Sequence, residues 1–293
     1  QIAFHDWKWY NFFDTDTRDL YTFLIQIFGG IFMLFSVILI LLIAIVFRKR
    51  KMNKTGQQKS DEIEYLSKNK KELILGLAWY VFYFMLSYIS CAFQVDIINE
   101  LSNWLFLVLF PLLIIAVFRK EKIIQALKES GLRHFDRKTV LRILLICAAY
   151  QGVIILVFGL GGFCFNITNI LHILVKLPVF FCLMILTAAF TEEFFFRGIL
   201  QRTMMDSLKK PYLVILLTGI LFGLYHFPFA YYLWGNTAGS VINSLKMIMT
   251  EHVLTGCAYG FLYYKSNKNL WSNIILHAFY NAAIMALGTV FST

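Results

Sequence analysis

The sequence predicts an all-α, polytopic membrane protein with about eight transmembrane helices. Hydrophobic residues make up 59% of the 293-residue chain and charged residues only 15%, whereas an average soluble domain contains roughly a quarter charged residues. The mean hydropathy is +0.67, and long apolar runs recur along the chain. This composition excludes a disordered protein, a disulfide-stapled secreted module and an ordinary cytosolic enzyme.

Eight apolar segments account for the predicted spans. A helix needs roughly 20 apolar residues to cross a bilayer core of about 30 Å. The fifth and seventh segments contain ionisable residues and the sixth is short. In chain order, the segments are Leu20–Phe47, Leu73–Phe93, Leu101–Phe118, Ile143–Leu160, Leu177–Phe196, Tyr212–Phe227, Met247–Tyr264 and Leu270–Leu287.

The basic residues indicate the orientation of these spans. Of the 27 Lys and Arg residues, 22 fall on one side of the predicted membrane and four on the other, while Arg197 lies within a span. By the positive-inside rule the basic side is cytoplasmic, so with eight spans both termini are extracytoplasmic. The net charge of +10 is thus explained by topology, and we expect no nucleic-acid partner. The Lys-, Ile- and Asn-rich loops favour a bacterial cell membrane.

The same pattern divides the chain into three parts. We expect an extracytoplasmic N-terminal segment at 1–19, three spans with basic cytoplasmic loops at 20–142, and a helical core with intramembrane polar residues at 143–293. The sequence KEKIIQALKESGLRHFD, which follows the third span, predicts a short amphipathic helix ended by Gly131.

Six polar residues lie at depths where lipid-facing side chains would be apolar. A charge at the bilayer centre costs about 2.5–3.5 kcal/mol on insertion scales, so each needs a partner or a function. They occur in the fifth, sixth and eighth spans, and they are Glu192, Glu193, Arg197, His226, His277 and Asn281.

Helix geometry separates the two adjacent carboxylates of the fifth span. Glu193 and Arg197 are four residues apart, so they share one helix face and can form an ion pair. Glu192 is rotated by about 100° from Glu193, so it does not need to share the arginine. The spacing therefore predicts a structural pair and a separate carboxylate.

The sixth and eighth spans supply side chains that can converge on this region. His277 and Asn281 are also four residues apart and therefore point at the same neighbour. Phe222 lies one turn before His226 and is expected to wall its site. At 1.5 Å rise per residue, Glu192 and Asn281 each lie about 15 Å into the membrane, His277 about 9 Å and His226 about 21 Å. A shift of a few residues in the span boundaries covers this spread, so the depths are compatible with one buried site.

Small residues indicate that the helices pack closely. The sixth and seventh spans each contain a glycine pair at GxxxG spacing, a pattern typical of close helix contacts in membranes. The pairs are Gly219 with Gly223 and Gly256 with Gly260.

These residue types favour hydrolysis by an activated water molecule. A carboxylate in an apolar setting can serve as a general base, and imidazole and amide groups can face a developing oxyanion. The sequence shows no Ser–His–Asp set and no HExxH motif, so nucleophilic and thermolysin-like schemes lack their parts.

Three motifs resemble those of a known family. EEFFFR (192–197), FGLYH (222–226) and HAFYN (277–281) are similar to the EExxxR, FxxxH and HxxxN motifs of the CAAX protease and bacteriocin-processing (CPBP, or Abi) family of glutamic intramembrane endopeptidases. The resemblance covers about 175–290. It implies that 143–293 is the catalytic helical core, with the catalytic motifs on the C-terminal four helices, and that the protein is a peptide hydrolase.

The resemblance also implies roles for individual residues. Glu192 corresponds to the general base that activates water, and His226 to the residue that helps to hold the water. His277 and Asn281 correspond to the donors on the oxyanion side. Three further residues are expected to support the site, namely Glu193, Arg197 and Phe222.

We expect no cofactor. Two glutamates and two histidines could bind zinc, which is the alternative, but Asn281 is a poor zinc ligand and no zinc motif of standard spacing is present. The expected partners are the lipid bilayer and a peptide or membrane-associated protein substrate.

Two other interpretations stay open. The chain could be a non-catalytic peptide-binding membrane protein, such as a bacteriocin immunity factor, in which the same residues bind without cleaving. A transporter would also explain buried Glu and His, but it is expected to have broken helices or inverted repeats, and the sequence indicates neither. Near the outer start of the seventh span, Glu251 and His252 are interpreted as an interfacial or cavity-rim pair.

Overall fold

The computed structural model describes residues 56–95, 100–119, 122–132, 137–138, 140–141, 143, 145, 167–235 and 237–291. All of them belong to one compact unit, Lys54–Thr293. These described residues form helices joined by short turns, and none of them is in a strand. The predicted all-α class is confirmed for this part of the chain.

Eight helical elements are labelled here, several of which contain a π-helical stretch. They are α1 (Gly56–Ala92), α2 (Glu100–Asn103, π-helical Trp104–Leu109, Phe110–Arg119), α3 (Ile123–Leu127, π-helical Lys128–Leu132), α4 (Ile167–Met184, π-helical Ile185–Ala189, Phe190–Glu193, π-helical Phe194–Gln201, Arg202–Leu208), α5 (Pro211–Tyr225), α6 (Phe227–Tyr232), α7 (Val241–Met247, π-helical Ile248–Val253, Leu254–Lys265) and α8 (Leu270–Phe291).

Four helices in the described residues are long and apolar enough to cross a membrane. They are Lys70–Phe93, Leu101–Arg119, Ile173–Leu208 and Pro211–Tyr232. These correspond to the second, third, fifth and sixth predicted spans. The seventh and eighth predicted spans are helical as parts of α7 and α8, and the total of eight spans stays a prediction.

Some sequence predictions fall on residues that the structure does not describe. The N-terminal segment 1–19 and the first span, Leu20–Phe47, lie outside the described residues, as does most of the fourth span, Ile143–Leu160. Val140 and Ile143 are described, and they pack with Ile275 of α8.

Helix ends follow from local sequence. Lys209 ends α4 in the left-handed conformation with φ 52°, and Pro211 begins α5. A proline suits the first turn of a helix because its missing N–H would have no intrahelical partner there. Gly131, with φ 104°, lies at the end of α3, as the sequence predicted, since glycine adopts positive φ without a steric penalty.

Glycines bring α5 and α7 together. A Cβ added at Gly256 would lie 3.1 Å from the Cα of Gly219 and 3.1 Å from the ring of Phe222. Such distances leave no room for a larger residue, so the packing role predicted from the GxxxG spacing is confirmed. This contact places α5 and α7, the sixth and seventh predicted spans, against each other beside the polar residues.

Ion pairs connect the N-terminal helices to α4. The guanidinium of Arg119, at the end of α2, contacts the carboxylates of Glu72 in α1 and Glu129 in α3. Arg202 of α4 lies 3.4 Å from Glu129 and 3.9 Å from Glu72. Glu72 is 1% exposed, so this network ties four helices together in a protected position.

Candidate active site

The fifth predicted span carries both glutamates into the interior of the protein. Glu192 and Glu193 are the last residues of the Phe190–Glu193 stretch of α4, directly before its second π-helical stretch. Glu192 is 8% exposed and Glu193 is fully buried. Because consecutive side chains on a helix diverge by about 100°, the two carboxylates point in different directions.

Glu193 is fully engaged by partners from two helices. Its carboxylate lies 3.2 Å from Nη1 of Arg197 and accepts a hydrogen bond of 3.0 Å from Nδ1 of His277. It also accepts a hydrogen bond of 3.1 Å from Nδ2 of Asn273. The predicted pairing of Glu193 with Arg197 is therefore present, and it extends to α8 through two further donors.

Arg197 links the pair to α7 and to the ring of Phe222. Its Nη2 donates a 2.9 Å hydrogen bond to the carbonyl oxygen of Gly256. Its guanidinium lies 4.6 Å from the centroid of the Phe222 ring, within the range of a cation–π contact. A fully buried arginine is thus compensated by a carboxylate, a backbone carbonyl and an aromatic face.

A second polar residue of α4 repeats this contact one turn later. Gln201 donates a 2.8 Å hydrogen bond to the carbonyl oxygen of Gly260. Arg197 and Gln201 are four residues apart, as are Gly256 and Gly260. The glycines of α7 therefore serve both close packing and access of side-chain donors to backbone oxygens.

Glu192 faces two histidines without a hydrogen bond to either. Its Oε2 lies 3.8 Å from Nε2 of His277 and 4.0 Å from Nε2 of His226. This oxygen is buried and has no hydrogen-bond partner among the described residues. The structure thus brings Glu192, His226 and His277 together, as the sequence predicted, and leaves one carboxylate oxygen at their centre.

Hydrogen-bond partners assign the histidine tautomers. Nδ1 of His226 lies 2.8 Å from the carbonyl oxygen of Phe222, and a carbonyl only accepts, so Nδ1 carries the proton. Nδ1 of His277 likewise donates to the Glu193 carboxylate. In the neutral form, each ring presents an unprotonated Nε2 to Glu192.

A helix break places His226 in this position. The residue lies in the turn between α5 and α6, where its backbone N–H donates a 3.0 Å hydrogen bond to the carbonyl of Gly223. Pro228 follows in the first turn of α6, and proline cannot continue a helix with regular hydrogen bonds. Phe222, whose ring centroid is 4.8 Å from that of His226, walls the site as predicted.

Asn281 lies one helical turn after His277 on α8 and is half-buried. Its side chain makes no hydrogen bond to another described residue. Its predicted contribution on the oxyanion side stays a prediction.

Sequence reasoning missed two residues near the site. Asn273 is fully buried and bridges Glu193 to the carbonyl oxygen of Tyr259, with Nδ2 2.7 Å from that oxygen. Its position four residues before His277 is the signal that could have revealed it. The ring of His252, interpreted as part of an interfacial or cavity-rim pair, stacks on His226 with centroids 4.1 Å apart.

In the described part of the chain, no group of three or more His, Cys, Asp or Glu residues is arranged to hold a metal ion. The metal-free mechanism, with zinc as the alternative, stays a prediction.

One comparison with known proteins gives a match. Residues 174–283 match the family described as type II CAAX prenyl endopeptidase Rce1-like. The family resemblance is confirmed. This Rce1-like segment contains the three motifs, and the family is a family of proteases. No curated protein and no solved structure matches the chain.

With the four apolar helices, the Rce1-like match supports an integral membrane peptidase. All residues singled out from the three motifs lie within the matched segment. Residues of α1 and α2 lie outside the matched segment, although Tyr83 of α1 stacks on Tyr225 at 5.8 Å.

Proposed function

We propose that this protein is an intramembrane endopeptidase that hydrolyses a peptide bond with a water molecule activated by Glu192. The difference between the two adjacent carboxylates carries the proposal. Glu193 is engaged by Arg197, His277 and Asn273. Oε2 of Glu192 is buried and faces Nε2 of His226 and of His277 without bonding to either. A buried carboxylate that is not used for packing is available for proton transfer.

The distances suit a bound nucleophilic water. Two hydrogen bonds of about 2.8 Å that meet at about 90° span about 4.0 Å, which is the separation of Glu192 Oε2 from His226 Nε2. Glu192 accepts a proton from this water while Nε2 of His226 accepts its second hydrogen bond. The water oxygen then attacks the carbonyl carbon, and Glu192 returns the proton to the amine nitrogen as the C–N bond breaks.

His277 and Asn281 supply the donors for the oxyanion in this mechanism. His277 can donate through Nε2 only when its ring carries both protons, because Nδ1 already donates to Glu193. The carboxylate of Glu193 stabilises this imidazolium.

The topology and the substrate complete the proposal. Eight spans, with both termini extracytoplasmic, would place the site within a bacterial cell membrane, and no metal would be required. The substrate is a peptide or membrane-associated protein that reaches the site from the bilayer. Since the matching family is named for prenylated CAAX substrates, a farnesylated CAAX peptide is the first defined peptide to test.

The deciding experiment compares peptides from membranes that contain the wild-type protein or Glu192→Gln. Glu251→Gln is the matched control, because this carboxylate is exposed and lies outside the three motifs. We expect cleavage products with the wild type and with Glu251→Gln that are absent with Glu192→Gln. Identical peptides in all three samples would overturn the proposal and favour the non-catalytic peptide-binding protein.

A further inference from the structure

His252 lies beside the proposed site although it is in none of the three motifs. It belongs to the π-helical stretch of α7 and is half-buried. Its ring is nearly parallel to that of His226, with an interplanar angle of 15° and centroids 4.1 Å apart. Trp234 lies against both rings, 5.1 Å from His252 and 6.2 Å from His226.

Two further aromatic neighbours of the His226 ring come from α5, the helix that ends directly before it. Phe222 and Tyr225 each meet it edge-on, with centroids 4.8 Å away. These contacts leave a face of the ring that α7 covers through His252. The packing of α7 therefore restricts rotation of the His226 side chain, which directly follows α5.

The stacked arrangement depends on close approach of the two helices. A Cβ added at Gly223 would lie 3.2 Å from the backbone nitrogen of Val253 and 3.3 Å from the carbonyl oxygen of Ile248. Gly223 is three residues before His226, and Val253 directly follows His252. The glycine thus lets the backbones approach at the point where the two imidazoles stack.

The orientation of the stack argues against direct chemistry by His252. Ring nitrogens carry their protons and lone pairs in the plane of the ring, so parallel rings do not direct these groups at each other. His252 therefore does not pass a proton to His226 across this contact. The His252 ring instead provides a flat surface against the His226 ring. This surface holds the ring so that Nδ1 donates to the Phe222 carbonyl and Nε2 faces Glu192.

We propose that His252 is a positioning residue that fixes the rotamer and tautomer of His226. The value of this positioning rests on the proposed function, since His226 acts there by orienting the water with Nε2. Small losses of orientation at a reacting group reduce rates strongly, with a displacement of 1 Å costing about a hundredfold.

Two substitutions separate stacking from nitrogen chemistry. His252→Phe keeps a flat ring against His226, whereas His252→Ala removes it. Met249→Ala is the control, because Met249 lies on the same π-helical stretch and is 54% exposed. Nitrogen-15 NMR of histidine-labelled protein in detergent, with the His226 signals assigned through His226→Asn, reports the tautomer directly.

We expect His226 in the wild type, Met249→Ala and His252→Phe to show one tautomer with the proton on Nδ1. His252→Ala should show averaged tautomers at an unchanged melting temperature. On a peptide whose cleavage requires Glu192, His252→Ala should lower kcat about tenfold with little change in KM, and His252→Phe should restore most of the activity.

The outcomes decide between the alternatives. A single Nδ1–H tautomer in His252→Ala would overturn the positioning role, as would a His252→Phe variant that is as impaired as His252→Ala. If the wild type shows no Glu192-dependent cleavage, the proposed function fails, while the NMR comparison still decides whether His252 positions His226.

Discussion

Nδ1 of His277 lies 3.0 Å from Oε1 of Glu193, although the two residues are 84 positions apart in the chain. This contact joins α4 to α8 and orients the imidazole so that its Nε2 faces Glu192. The glutamate that supports the site and the glutamate proposed to act in it are therefore adjacent in sequence but connected through the same histidine ring.

Glu192→Gln should abolish most activity and leave the fold intact. The amide keeps the size of the side chain but cannot accept a proton, and loss of a general base costs typically 10²–10⁴-fold in rate, so kcat should fall by about this factor. Because Oε2 makes no hydrogen bond to a described residue, thermal unfolding in detergent should be unchanged. Activity equal to the wild type would remove Glu192 from its proposed role.

Spacing along single helices allowed much of this site to be predicted. The four-residue interval fixed which carboxylate could pair with Arg197, and the 100° rotation correctly separated Glu192 from that pair. The glycine spacing correctly indicated where α5 and α7 approach. Each of these inferences depends on geometry within one helix, which the helical repeat determines.

Contacts between helices were less predictable. Either carboxylate could have bonded His277, because the rotation and depth of α8 relative to α4 depend on packing over the whole interface. The stack of His252 on His226 likewise depends on how closely α7 approaches Gly223. A polar residue on one face of a helix does not reveal which residue of the next helix it meets.

Asn273→Ala tests a residue that the motifs do not include. The substitution removes a donor to Glu193 and a donor to the carbonyl of Tyr259. Loss of a buried hydrogen-bond partner costs about 1–3 kcal/mol, so we expect a lower melting temperature and lower activity. Ser272→Ala is the control, because Ser272 is buried beside it and its hydroxyl has no hydrogen-bond partner among the described residues. An Asn273→Ala variant as stable as Ser272→Ala would contradict this bridging role.

Gly256→Val should disturb both stability and activity. Even a Cβ at this position would lie 3.1 Å from the Cα of Gly219 and from the Phe222 ring, so the larger side chain must push α7 away from α5. Overpacking typically costs about 1–3 kcal/mol, and here it also displaces the carbonyl that Arg197 binds. Ala258→Val, on the exposed face of α7, is the control and should match the wild type in thermal unfolding and cleavage.

Prolonged chelation should leave the purified enzyme active. In the proposed mechanism Glu192 and His226 orient the water without a metal ion, so removal of divalent cations changes none of the reacting groups. The measurement is the cleavage rate before and after dialysis against a strong chelator, with metal content determined on the same samples. Zinc present at one equivalent and lost in parallel with activity would favour the metalloprotease alternative.

Arg197→Ala should destabilise the protein, in contrast to Glu192→Gln. Removal of the guanidinium leaves the Glu193 carboxylate buried without its ion-pair partner, and it also leaves the Gly256 carbonyl without a donor. Breaking a buried ion pair by removing one partner costs about 3–5 kcal/mol, a large fraction of the 5–15 kcal/mol that typically separates folded from unfolded protein. Thermal unfolding in detergent, followed by far-ultraviolet circular dichroism, measures the loss.

Comparing Glu192→Gln with Arg197→Ala distinguishes the roles of the two glutamates better than either variant does alone. Arg197 pairs with Glu193, the direct neighbour of Glu192, so a difference in melting temperature between Glu192→Gln and Arg197→Ala indicates which of the two carboxylates the arginine compensates. Arg197→Lys keeps the charge but loses the planar, forked donor set that reaches both Glu193 and the Gly256 carbonyl, so it should melt between the wild type and Arg197→Ala. If Arg197→Ala melted like the wild type while Glu192→Gln unfolded, the roles of the two glutamates would be reversed, and Glu193 would become the candidate base.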